Sequence, residues 1–172
     1  MSAETFTTAM FLITAVIAAG VLINAVFPVV YTMAGTFQSA THESDQRLRT
    51  DFKIVTTVGN SSQSVVHVWM KNIGGQRIAL ADIQKSDVFC GEVGNFGRLT
   101  YKDDLRENLV NGQWTEIFDS GSGDLNNNAF WDPGETLEVY AKPSVMPGSG
   151  GLVYFQFVLP SGIWRSNEFT AS

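Results

Sequence analysis

The chain opens with a long apolar stretch and then changes to short alternating segments. Residues 9–31 read AMFLITAVIAAGVLINAVFPVVY, in which Asn24 is the one strongly polar side chain. A helix over these residues spans roughly 35 Å, whereas the hydrocarbon core of a membrane is about 30 Å thick. Pro28 has no backbone N–H, so the carbonyl of Asn24 loses its helical donor. The pattern predicts an N-terminal hydrophobic helix over residues 1–42.

Three interpretations of this helix compete. A cleaved secretory signal needs a basic start and a short apolar core, but residues 1–5 contain no Lys or Arg and the apolar run is too long. A single membrane-spanning anchor and a helix that packs against its own copies in a filament core have the same hydropathy. Ala15, Ala19 and Gly20 would let a second helix approach closely. The anchor and the filament helix therefore both stay open.

The remainder of the chain has the pattern of a β domain. Residues 43–50 are polar and typical of a linker, and short runs rich in β-branched residues follow them. Strands are predicted at residues 51–58, 65–70, 77–81, 87–90, 97–101, 114–118, 136–141, 151–159 and 163–169, with a hairpin turn at 160–162. Gly, Asn and Pro separate these runs at intervals of roughly 8–12 residues, as in antiparallel sandwiches. The predicted fold is an N-terminal helix followed by an all-β antiparallel, immunoglobulin-like sandwich over residues 51–172.

Charge and cysteine content exclude several classes of function. The formal net charge is −6, and residues 5–42 contain no Asp, Glu, Lys or Arg. Nucleic acid is excluded as a partner because its recognition needs a Lys/Arg footprint. The single cysteine, Cys90, excludes a disulfide framework and is expected to be a small buried side chain. His67 is expected to pack between strands, and because no catalytic motif is visible we expect no enzymatic activity.

One segment has the spacing of a metal-binding loop. Residues 124–135 place oxygen ligands at positions 1, 3, 5, 7, 9 and 12, as in an EF-hand loop. The ligands would be the side chains of Asp124, Asn126, Asn128, Asp132 and Glu135, with the backbone carbonyl of Phe130. Ala129 stands where the EF-hand has Gly, and a positive φ there would strain Ala. The spacing predicts a calcium ion as cofactor, although the same residues also fit an Asn-rich loop that ends in an Asp-Pro-Gly turn.

One glycosylation sequon occurs, at Asn60-Ser61-Ser62. It lies between two predicted strands, where the surface could accommodate a glycan on Asn60. The same three residues also fit a plain polar turn.

The helix carries a resemblance to a known family. Residues 15–24 read AVIAAGVLIN, and this run resembles the helix signature of archaellum proteins, which build the archaeal flagellum. In archaellins the N-terminal helix forms the filament core and a β-sandwich forms the outer surface. The resemblance implies that the helix contacts further copies of the chain or archaellins. The implied assembly residues are Phe6, Ile13, Ala15, Ile17, Ala19, Gly20, Leu22, Asn24 and Phe27.

Two types of archaellum protein share this plan. Archaellins are made with a short basic leader, which is not visible before this helix. The accessory proteins of F and G type can lack a leader, and residues 1–5, 34–37 and 45–51 look most like the G type. That resemblance implies a structural protein anchored in the archaeal membrane, whose extracytoplasmic sandwich contacts the F-type protein and the surface layer. The alternative is an archaellin-like or pilin-like subunit whose helices bundle into an extracellular filament.

Overall fold

The computed structural model describes residues 2–119, 121 and 123–172, apart from the side chains of His42 and Glu43. Met1, which belongs to the predicted helical segment and to the G-type resemblance, lies outside the described residues. The chain divides into two compact units, Met1–Asp45 and Gln46–Ser172.

Helix α1 is Ser2–Arg49, so it extends further than the sequence suggested. Residues 43–49, predicted as part of a linker, are helical. The reason is that Glu, Gln, Leu and Arg are good helix formers and no Gly or Pro interrupts them. The polar residues of this segment therefore indicate contact with water, and they do not mark the end of the helix.

The described part of the second unit contains ten strands and a short helix. Their bounds are β1 Phe52–Asn60, β2 Val65–Asn72, β3 Ile78–Ala79, α2 Leu80–Gln84, β4 Asp87–Glu92, β5 Asn95–Tyr101, β6 Gln113–Ile117, β7 Phe130–Trp131, β8 Thr136–Lys142, β9 Leu152–Val158 and β10 Trp164–Thr170. A 3-10 turn, Arg106–Asn108, lies between β5 and β6. The predicted strand at 77–81 was wrong in its second half, because only two residues pair with β7 before α2 begins.

The strands form two facing layers. Eight strands follow the order β1-β2-β8-β6-β5-β4-β9-β10, and β3 and β7 form a separate pair. Neighbours are antiparallel except β5 and β6, which are parallel, so the all-antiparallel expectation fails at that pair. The physical reason is that residues 102–112 form a longer connection instead of a tight hairpin, which allows the two strands to run in the same direction. At the far edges β1 and β10 meet through a bridge between Gly59 and Ala171.

Alternate side chains of both layers build one core. Val66, Val68 and Met70 of β2 and Val153, Phe155 and Phe157 of β9 are all fully buried. Trp114 and Trp131 are the largest side chains in this core. The predicted hairpin at 160–162 is also present: the Leu159 N–H donates to the Ile163 carbonyl at 2.9 Å, and Gly162 takes a φ of +85°. The sandwich thus has its own hydrophobic core.

The junction between α1 and β1 is held by a tight turn. The N–H of Gly75 donates to the carbonyl of Arg49 at 2.8 Å, and that of Gly74 donates to the carbonyl of Asp51 at 2.9 Å. These bonds satisfy a carbonyl at the end of α1 that has no partner within the helix. Residues 46–51 are therefore fastened to the sandwich.

Candidate functional site

The apolar side chains of α1 are exposed around its whole circumference. Phe6, Ile13, Ile17, Leu22 and Phe27 are each more than half exposed. Ala15, Ala19 and Asn24 are exposed as well, and Gly20 is half-buried. A helix that is apolar all round is stable only where water is excluded, in a membrane or a protein core. By length and composition α1 could cross a membrane, a test that the buried core helix of a soluble protein and an N-terminal signal sequence also pass.

Threonine hydroxyls in α1 do not need water as a partner. The hydroxyls of Thr7, Thr14 and Thr32 each donate at 2.8 Å to the carbonyl four residues earlier. Thr36 and Thr41 repeat the same bond near the end of the apolar segment. These side chains can therefore enter an apolar environment without leaving a hydroxyl proton unpaired.

The predicted ligands of the 124–135 loop come together, but they bind one another. The two carboxylate oxygens of Asp124, which is 4% exposed, accept the N–H groups of Asn128 and Ala129 at 3.2 and 2.9 Å. The carboxylate of Glu135, which is 5% exposed, accepts the N–H groups of Leu125 and Asp132, both at 2.9 Å. These charge-assisted bonds stabilise both ends of the loop.

The middle of the loop is organised around Asp132. One of its carboxylate oxygens accepts the side-chain amides of Asn126 and Asn128, both at 2.8 Å. Hydrogen bonds from these two amides lower the pKa of Asp132 below its ordinary 3.8. Phe130 lies in β7, where it pairs with Ala79. Among the described residues no group of three or more His, Cys, Asp or Glu side chains is placed to hold a metal ion, so calcium stays a prediction from spacing.

The loop also contains a strained turn. Ala129 has a φ of 60°, the left-handed conformation that Gly would adopt at the sixth position of a calcium loop. Asn127 has a φ of 54°, which Asn tolerates better than most residues. Ala129 therefore has the positive φ that Gly has at this position of a calcium loop, and this conformation does not decide whether a cation binds.

Asn72 fastens the loop to the sandwich, and its role was not visible in the sequence. Its side chain is fully buried and donates to the carbonyls of Trp131 at 2.8 Å and Gln76 at 3.0 Å. Its side-chain oxygen accepts the N–H of Gly74 at 3.0 Å. One residue thereby links the end of β2, the 124–135 loop and the turn that holds Arg49. The one local signal in the sequence is an Asn directly before Ile73-Gly74-Gly75, a run that is typical of a turn.

The remaining predicted residues lie in ordinary structural settings. Asn60 ends β1, and its side-chain oxygen accepts the N–H of Gln63 at 3.1 Å, so its glycosylation stays a prediction. His67 lies opposite Tyr140 across two strands and its ring stacks on Trp69, as expected of a packing residue. Cys90 is 1% exposed, which confirms it as a buried side chain.

The two units define a class of protein: a structural protein with a long apolar N-terminal helix and a β-sandwich domain. A family model described as archaeal-type flagellin matches residues 2–169. The chain therefore belongs to the archaeal-type flagellin family, and it is a structural, non-enzymatic component of the archaellum.

Solved structures show the same fold. The chain is similar to the archaellum periplasmic stator protein FlaG from Sulfolobus acidocaldarius, with 22% identity and a TM-score of 0.54 over 70% of this chain and 99% of that chain. The structure of the FlaF and FlaG stator complex from the same organism gives 20% identity and a TM-score of 0.54 over 69% and 87%. The archaeal flagellum of Methanospirillum hungatei strain JF1 gives 15% identity and a TM-score of 0.69 over 97% and 93%.

As a member of this family, the chain belongs to the archaeal cell envelope or its filament, among other archaellum components.

Proposed function

We propose that this protein is a G-type accessory protein of the archaellum, anchored in the membrane by α1, with its sandwich making protein contacts outside the cytoplasm. One observation carries the proposal. Residues 5–42 contain no charged side chain, and the apolar side chains of residues 6–37 are exposed around the helix, whereas the sandwich has a core of its own. A helix of this kind needs an apolar environment, and a domain with a complete core does not need the helix.

The proposed partners follow from the G-type assignment. The FlaG likeness covers 99% of that chain, and FlaG was solved in a complex with FlaF, described as a periplasmic stator. This supports an F-type protein as the partner of the sandwich. We place the surface layer as a second contact, because a domain outside the membrane lies next to it.

A filament-forming subunit is the second candidate, and the length of the uncharged helix favours it. The uncharged segment 5–42 spans roughly 57 Å as a helix, which is nearly twice the hydrocarbon thickness of about 30 Å. A filament core can accept apolar helix of any length. The likeness to the Methanospirillum hungatei flagellum, which includes the helix and covers 97% of this chain, supports the same alternative.

Shearing of cells that express the tagged chain separates the two candidates. An accessory protein stays with the membrane after the filaments are sheared off, and detergent is needed to extract it. A filament subunit is recovered in the sheared filaments in amounts comparable with the major archaellin. Recovery in the soluble fraction without detergent would contradict both.

Two substitutions at one position test the role of the helix, with recovery measured in the membrane, sheared-filament and soluble fractions as before. Gly20→Asp places a charge near the middle of the apolar segment, where a centred Asp costs about 2.5–3.5 kcal/mol on insertion scales. We expect it to reduce the membrane-bound fraction severely. Gly20→Ala is the matched control, because an added Cβ meets no atom within 4 Å in α1. Equal membrane recovery of the two variants would contradict the anchor.

A further inference from the structure

Strand β10 has an edge that is open over most of its length. It lies at one end of the eight-strand order, and β1 lies at the other end. The two strands meet near the C-terminus, where the N–H of Ser172 donates to the carbonyl of Gly59 at 2.8 Å and the N–H of Ser61 donates to the carbonyl of Ser172 at 3.0 Å. Among the residues that the structure describes, no backbone hydrogen bond joins β1 to residues 164–170. The backbones of β1 and β10 are therefore joined at one end only.

The pairing of β10 with β9 identifies the backbone groups on this open edge. In an antiparallel pair, residues that exchange hydrogen bonds alternate with residues whose N–H and C=O groups point away from the partner strand. The N–H of Leu159 donates to the carbonyl of Ile163 at 2.9 Å, and the N–H of Ala171 donates to the carbonyl of Gly151 at 2.9 Å. The register between these two pairs is uninterrupted, so the odd-numbered residues of β10 bond to β9. The backbone groups that face the open edge are those of Trp164, Ser166, Glu168 and Thr170.

β10 lacks the features that usually protect an edge strand. It is seven residues long, contains no Pro and pairs with β9 without a bulge. β1 differs, because its register with β2 shifts between Ile54 and Thr56, where Val55 is an extra residue. A bulge of this kind bends its strand and interrupts regular pairing, so it protects the edge of β1. β10 is therefore the edge to which a further strand can be added.

The surface beside the start of β10 is positively charged, although the chain as a whole has a net charge of −6. A groove of about 400 Å³ lies between β1 and β10, and a second groove of about 680 Å³ shares Arg165 with it. In the described lining of the two grooves, the cations Arg47, Lys53 and Arg165 outnumber the anion Asp51, which is ion-paired with Arg165. Glu168 lines neither groove. The surplus of positive charge at the Arg165 end of β10 favours a ligand that places carboxylates there.

We propose that an extended segment of a partner protein, with carboxylate side chains at one end, pairs with the open edge of β10 as an added strand. The open backbone groups of β10 bond to the backbone of that segment, and Arg47 and Lys53 attract its carboxylates. A second copy of this chain fits the edge less well, because it would bring its own cations beside those of the first. An anionic polysaccharide matches the charge but not the row of backbone groups. The inference deepens the proposed function, and it rests on that function only in that the sandwich makes protein contacts.

Fluorescence anisotropy of a labelled peptide, mixed with the full-length protein in detergent, tests the added strand. The probe is a peptide of alternating valine and threonine with two glutamates at its C-terminal end, which antiparallel pairing places beside Arg165. Ser166→Pro should weaken its binding roughly tenfold, because Pro removes an N–H that faces the open edge and leaves the bonds to β9 in place. Ser166→Ala keeps this N–H and is the matched control.

A second pair of variants tests the charge. Lys53→Glu should weaken binding of the peptide roughly 3- to 30-fold, because it replaces an attraction by a repulsion. Lys85→Glu makes the same change of charge at an exposed position outside both grooves and should bind the peptide like the native chain.

The opposite outcomes are equally specific. The absence of peptide binding to the native chain at millimolar concentration would overturn the inference, and so would equal binding by Ser166→Pro and Ser166→Ala. Tighter binding of dextran sulfate than of the peptide, unchanged in Ser166→Pro, would assign the grooves to an anionic polysaccharide instead. Each of these results would leave the membrane anchor intact, since recovery in the membrane fraction depends on α1. Loss of the native chain from that fraction would contradict the anchor and leave the added strand standing.

Discussion

The turn that holds the end of α1 can be broken by adding one carbon atom. A Cβ at Gly74 would lie 2.4 Å from the carbonyl oxygen of Arg49 and 2.5 Å from the backbone nitrogen of Asp51. Both atoms are backbone, so they cannot swing aside as a flexible side chain can, and a shift of about 1 Å is needed to reach ordinary contact. Such a shift would break or lengthen the bonds from Gly74 and Gly75 described above.

The expected magnitude follows from these two effects. Overpacking costs typically 1–3 kcal/mol and each lost hydrogen bond about 1 kcal/mol, so Gly74→Ala should lower the free energy of unfolding of the sandwich by about 2–5 kcal/mol. For a domain of this size the melting temperature should fall by on the order of 10 °C. Gly75→Ala is the matched control: its Cβ would meet nothing within 4 Å, so stability should change by less than about 1 kcal/mol.

Tryptophan fluorescence is a suitable assay, because all four tryptophans lie beyond residue 46 and report on the sandwich. Urea unfolding of the full-length protein in detergent gives the free energy for each variant. Midpoints for Gly74→Ala and Gly75→Ala that differ by no more than the error of the method would refute the packing described for this turn.

Four further predictions concern the sandwich. Burial raises the pKa of the Cys90 thiol from 9.0 to about 12. A thiol reagent at pH 8 should therefore label Cys90 only after the sandwich unfolds. The stability linked to this pKa shift is present below pH 9 and is lost as the pH rises toward 12. Asn72→Ala should destabilise the sandwich by about 2–4 kcal/mol in urea unfolding, because it leaves buried carbonyls and an N–H unpaired; an unchanged midpoint would contradict that role. The pKa of Asp132, measured by NMR, should lie below 3.8 and should rise when Asn126 and Asn128 are both changed to Ala. The contribution of the Asp132 carboxylate to stability is present above about pH 4 and is lost as the pH falls through that lowered pKa. Calorimetric titration of the native chain with calcium should give a binding heat, and Asp124→Asn and Glu135→Gln should abolish it. The absence of heat at millimolar calcium would show that the 124–135 loop is not a calcium site.

The strands of the sandwich could be predicted because alternation reports burial directly. β2, β8 and β9 each place a buried residue at every second position, so the sequence period and the structural period coincide. The parallel pairing of β5 with β6 could not be predicted, because it depends on the path of the connection over residues 102–112, which has no local signal. Phe130–Trp131 was missed for a related reason, since β7 is only two residues long and pairs with an equally short β3.

The sequence also predicts some features of the candidate sites and not others. The apolar helix follows from composition alone, because residues 5–42 contain no charge. Spacing predicts a calcium loop at 124–135, which stays a prediction, and polar side chains of this segment do hydrogen-bond to one another. It could not show that Asp124 and Glu135 accept backbone N–H groups, or that Asn72, more than fifty residues away in sequence, secures the loop. Contacts between distant segments have no local signal in one sequence.

This protein belongs to the archaellum, and we expect it to act there through a helix that must leave water. Swimming-ring diameter on soft agar, in a strain that lacks the native chain, tests it most directly. Complementation with the native sequence should restore swimming, and complementation with Gly20→Asp at equal protein abundance should not. Normal swimming of the deletion strain, or full rescue by Gly20→Asp, would contradict the claim.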